Sequence, residues 1–107
     1  MNRLYSIFDK KTAVYEPPCQ MHNDEAATRW FGQCVTQVPM MRAHPSDFEL
    51  YYVASFDEKE GKVTPMTKQF ICNGLDSYRL TQQAEIEHEQ TLQEAKVSDD
   101  PSIQSST

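Results

Sequence analysis

Glycine, tryptophan and long apolar runs are all scarce in this 107-residue chain, which has three glycines, one tryptophan and no largely apolar stretch longer than Leu50 to Phe56. A membrane-spanning helix needs about 20 apolar residues, so no such helix is expected. Phosphate-cradling loops are glycine-rich, and three glycines leave little material for one. No nucleophile elbow or nucleophile–base motif is present either, and an enzyme is not expected. Positive charge is also short, with 10 Lys and Arg against 16 Asp and Glu, a net charge of -6 and a pI near 4.9. Cationic nucleic-acid-binding domains usually have a pI above about 9, so total charge alone speaks against one. Cys19, Cys34 and Cys72 are widely spaced and cannot all pair within one chain, which fits a reducing compartment. The first eleven residues, MNRLYSIFDKK, lack the apolar region and cleavage site of a secretory signal, and none is expected.

What remains is the composition of a small α+β domain with a polar extension. Arg3–Asp9 and Thr12–Tyr15 are β-prone runs separated by Lys10-Lys11, and predict a hairpin ended by Pro17-Pro18. Asn23 is a suitable N-cap, and Asp24 and Glu25 put negative charge in the first turn of a helix. Ala26, Ala27, Trp30, Phe31, Cys34, Val35 and Val38 then recur at helical spacing up to Pro39, with Gly32 expected on the polar side. Phe48–Phe56 predicts a strand, and Asp57–Gly61 a turn with glycine at a positive-φ position. Lys62–Thr64 is the expected return strand, ended by Pro65, with Gln69–Cys72 as a short edge strand. The predicted fold is α+β: a small antiparallel sheet of two hairpins with one helix packed on one face. Residues 1–76 form that domain and residues 77–107 an acidic tail, a marginal helix that becomes disordered from Ser98.

The charge is unevenly distributed. Residues 1–80 hold 10 acidic and 9 basic side chains, whereas residues 81–107 hold six acidic and one basic. The acidity therefore belongs to the tail, which is expected either to compete with an anion for the basic surface or to recruit a basic partner. Cys19-x-x-His22 has the spacing of half a zinc site, but no second close pair accompanies it. No metal or cofactor is expected.

Seven aromatics, Tyr5, Phe8, Tyr15, Phe48, Tyr51, Tyr52 and Phe56, fall on predicted strands. One helix covers one face of a sheet and strand side chains alternate, so adjacent Tyr51 and Tyr52 cannot both point inward. Outward aromatics beside Lys and Arg have the composition of a single-strand stacking platform. The competing expectation is that the second face packs on Gln69–Tyr78 or on another subunit.

A family resemblance runs through roughly residues 3–65. Leu4-Tyr5-Ser6-Ile7-Phe8-Asp9-Lys10-Lys11, Pro17-Pro18, Asn23-Asp24, Pro45-Ser46-Asp47-Phe48-Glu49-Leu50-Tyr51 and Phe56-Asp57-x-x-x-Gly61, in that order, resemble the small nonstructural protein of gokushovirus-type microviruses. These are tailless phages with circular single-stranded DNA genomes. The resemblance implies a non-capsid protein that binds DNA in the host cytoplasm during genome replication or the switch to single-stranded synthesis and packaging. It carries over no catalytic residue. Cys19 departs from the pattern, where a larger residue is expected after the prolines.

Together these readings predict stacking of bases on Phe8 with Tyr52 and Phe56, or with Tyr51 in the opposite register. Arg3, Lys10, Lys11, Arg29 and Lys62 are the expected phosphate contacts. Single-stranded DNA is the expected partner. The alternative is an assembly protein whose exposed aromatics contact a second copy, a viral replication protein or a capsid protein.

Overall fold

A computed structural model describes residues 2–99 and is α+β, with a curled antiparallel sheet and helices packed against it. Strand β1 (Asn2–Asp9) is central, flanked on one edge by β2 (Val14–Tyr15) and β3 (Cys19–Met21), and on the other by β4 (Phe48–Asp57) and β5 (Lys62–Asn73). Helix α1 (Asp24–Gln37) follows β3, and a short α2 (Pro39–Ala43) with a 3-10 turn (Pro45–Asp47) leads into β4. Helix α3 (Gly74–Asp99) closes the described chain.

Both tight turns use the same chemistry. The side chain of Asp9 accepts from the Lys11 N–H at 2.9 Å, and that of Asp57 from the Lys59 N–H at 3.0 Å. Each turn ends on a positive φ, 58° at Ala13 and 65° at Gly61. Beyond Tyr15 the Pro17-Pro18 pair interrupts the edge, which resumes as β3 against the first half of β1, with Tyr5 opposite Cys19. Sequence patterning did not reveal β3, because it is three residues long and lies directly after two prolines.

Proline does not end β5. The strand runs unbroken from Lys62 to Asn73 through Pro65. It is an edge strand, so the missing N–H of Pro65 leaves no partner unsatisfied on its open side. Its pairing with β4 is irregular, however: Pro65 lies opposite Ala54 and Gln69 opposite Tyr52. Met66, Thr67 and Lys68 thus share the space that Val53 occupies alone, and β5 bulges there.

Asn23 caps α1 as expected, accepting from the Ala26 N–H at 2.8 Å. The apolar stripe of α1 meets the inner sheet face, where Ala27, Phe31 and Val35 join Tyr5, Ile7, Phe48, Leu50 and Tyr52 in one core. One helix does not cover this face alone. The start of α3 packs beside α1, burying Ser77 and directing Tyr78 to the core. Gly32 is the point of closest approach, since a Cβ there would lie 2.2 Å from the Thr81 hydroxyl oxygen and 3.3 Å from the Ser77 carbonyl oxygen. Its place is therefore the buried seam between helices, not the polar side. From Gln83 to Gln93 the side chains of α3 are exposed. Of the tail expected to be disordered from Ser98, Ser98 and Asp99 end α3, and residues 100–107 lie outside the described residues.

Candidate functional site

Register decides which aromatics are free. Along β4, Phe48, Leu50, Tyr52 and Ala54 are buried and the residues between them are less so. The opposite register would turn Glu49 and Ser55 into the core, and an unpaired carboxylate there is costly. Tyr51 therefore faces outward and Tyr52 inward. This signal is present in the sequence, since Glu49, Tyr51 and Ser55 share one parity.

The outer face gathers four rings from four strands. Phe8 of β1 lies 4.5 Å from Tyr15 of β2 between centroids, and Tyr15 lies 5.8 Å from Tyr51 of β4. Phe70 of β5 stands 5.8 Å from Tyr51, edge to face. Among the described residues no helix covers this cluster, and Phe70 is 52% and Tyr15 37% exposed. The ammonium of Lys68 hangs over three of the rings, 4.7 Å from the centroid of Tyr15, 5.1 Å from Tyr51 and 5.9 Å from Phe8. It also donates to the Tyr15 hydroxyl. The Tyr51 hydroxyl donates to Glu49 at 3.0 Å, and the other oxygen of that carboxylate is 3.9 Å from the Lys10 ammonium. Partial burial, and then the bond to Glu49, push the Tyr51 phenol pKa up, so the ring stays neutral.

Of the expected site residues, the structure brings Phe8, Tyr51 and Lys10 together, with Lys11 exposed in the adjoining turn. Tyr52 is only 9% exposed and packs in the core against Tyr5, with ring centroids 5.6 Å apart and planes tilted by 35°, so it presents no open face on the outer surface. Arg3 lies on the helix side, with its guanidinium 4.7 Å over Tyr52 and 3.0 Å from Asp24, a carboxylate that also accepts from Tyr5 at 2.5 Å. Burial, followed by the bond to Asp24, raises the Tyr5 pKa, so this tyrosine too remains a donor. Arg29 belongs to α1 and pairs with Glu25 at 3.9 Å, away from the rings. Phe56 and Lys62 lie at the far end of the β4–β5 ladder, opposite Val63 and Asp57.

Tyr15, Lys68 and Phe70 complete the cluster and were not expected there. Lys68 and Phe70 are two apart and share a face on any strand that includes both. Ending that strand at Pro65 and resuming it at Gln69 hid the pair.

Two other features are chemically quieter. An open groove of about 720 Å³ between α1 and α3 is lined by Glu25, Arg29, Leu80, Ala84, Glu85 and His88, among others. Its one guanidinium already faces Glu25, and its sign does not suit an anion. Burial raises the pKa of the Cys34 and Cys72 thiols, which disfavours the reactive thiolate. Among the described residues no group of three His, Cys, Asp or Glu is placed to hold a metal, and no helix is long and apolar enough to cross a membrane.

Residues 2–77 match the Phage ORF5 protein family. The chain belongs to that family. The matched span contains every strand of the sheet, helices α1 and α2 and the first turn of α3, so all four rings and Lys68 fall within the Phage ORF5 region. The exposed length of α3 lies beyond it. No curated protein and no solved structure matches the chain.

Proposed function

We propose that this Phage ORF5 protein binds single-stranded DNA without sequence preference, through the outer face of its sheet. The observation that carries the reading is the group of Phe8, Tyr15, Tyr51 and Phe70, which no helix covers among the described residues, with a lysine ammonium over three of the rings. Rings of this kind stack on any base, and nearby cations follow the phosphates. Lys10, Lys11 and Lys68 serve as those cations. The finer assignment is to the nonstructural protein of gokushovirus-type microviruses. It acts in the host cytoplasm in genome replication or in the switch to single-stranded synthesis and packaging.

Fluorescence anisotropy with labelled oligothymidylate tests the reading. The chain is expected to bind, and affinity should fall steeply as salt rises because neutralised phosphates release counterions. Phe70→Ala should weaken binding about tenfold or more, since one base–ring stack is worth roughly 1–3 kcal/mol. Binding that is absent, or that ignores both salt and Phe70, would contradict it.

A second reading, assembly with another copy or another viral protein, is favoured by β5. This open edge strand exposes Val63, Met66 and Phe70. Association through that edge predicts a change in oligomer size that survives high salt and needs no DNA.

A further inference from the structure

The stacking face is not vacant in the structure, because Lys68 lies across three of its four rings. Only Phe70 is left open, and it is the most exposed of the four. A base cannot stack on Tyr15 or Tyr51 while the ammonium occupies the same faces. We propose that Lys68 is a displaceable lid on this face and, once displaced, its phosphate contact. This rests on the single-stranded DNA reading above and adds the order of events at the site.

Two observations make the exchange feasible. Lys68 lies in the bulge where Met66, Thr67 and Lys68 face Val53 alone, so no regular ladder pair fixes its position. Among the described residues its side chain is held by ring faces and the Tyr15 hydroxyl, with no carboxylate within ion-pair distance. Lys10, by contrast, is tied to Glu49. A nucleotide supplies both halves of the replacement. Its base takes the ring faces that the ammonium leaves, and its phosphate takes the charge that the rings were holding. Phe70 receives the first base, and the removal of Lys68 opens Tyr51 and Tyr15 to the next.

The test follows the Lys68 ε-methylene signal by NMR of the full chain, assigned by its loss in Lys68→Ala. In the free protein, ring currents should hold it upfield of the other lysines. Saturating oligothymidylate should return it to their range. In anisotropy titrations, Lys68→Ala should reduce the slope of log affinity against log salt by about 0.7, the loss of one single-strand phosphate contact. At high salt, where that contact counts least, the variant should bind more tightly than the wild type because nothing has to leave the rings. A signal that stays upfield in a saturated complex, or a variant with unchanged slope, overturns the lid and leaves the DNA reading standing. A wild-type chain that does not bind overturns both.

Discussion

Replacing Gly74 with alanine is expected to lower the thermal midpoint by roughly 12 °C or more, as read by circular dichroism. A Cβ at this position would lie 2.2 Å from the Pro45 carbonyl oxygen, 3.1 Å from its carbon and 3.2 Å from the Phe48 carbonyl oxygen. All three are backbone atoms, and none can rotate away as a side chain would. Asn73 fixes the same junction from the other side, accepting from the Leu75 N–H at 2.8 Å and donating to the Ser46 carbonyl at 3.4 Å. The added methyl must therefore separate α3 from the turn that starts β4. Overpacking of this kind costs about 3 kcal/mol at the upper end of its usual range. One kcal/mol moves the midpoint of a domain this size by about 4–8 °C. A midpoint within a few degrees of the wild type would mean that strand and helix do not meet this closely.

Phe31→Ala should be at least as damaging. Phe31 is fully buried at the centre of the core, on the stripe that joins α1 to Tyr5 and Leu50 of the sheet. Removing a buried phenyl ring costs about 3–5 kcal/mol, through lost burial and the cavity left behind. Native domains hold only about 5–15 kcal/mol in total, so the variant should lose a large share of its stability. Urea denaturation followed by the fluorescence of Trp30 measures the difference. A loss below about 1 kcal/mol would show that α1 does not seal the inner face at this residue.

Much of this architecture was legible in the chain because local chemistry and global packing agree there. The α1 cap at Asn23, its stripe and both tight turns follow from short-range patterns. The features that escaped are those set by contacts between distant segments. Gly32 reads as a weak point on a polar face until α3 is laid against it. Pro65 reads as a strand terminator until β5 is known to be an edge. The candidate site suffered most from this. Phe8 and Tyr51 come from strands that periodicity found, but Tyr15 sits on a two-residue strand and Lys68 in a bulge. Tyr15 falls in the expected run Thr12–Tyr15, too short to assign it a face, and Lys68 falls between the expected strand end at Pro65 and restart at Gln69. Arg3 and Arg29 were expected at the site because they are cationic, yet both are engaged with carboxylates on the helical side. The acidity of the whole chain is likewise a poor guide, since six of its sixteen acidic residues fall in residues 81–107, most of them on α3 beyond the family match.

The most direct test is the aromatic region of the carbon–proton NMR spectrum during titration with oligothymidylate. The outer rings of Phe8, Tyr15, Tyr51 and Phe70 should shift progressively with added DNA, while the core rings of Tyr5, Phe31 and Phe48 stay in place. Shifts confined to the α1–α3 groove, or a spectrum that does not change at all, would contradict a stacking face on this sheet.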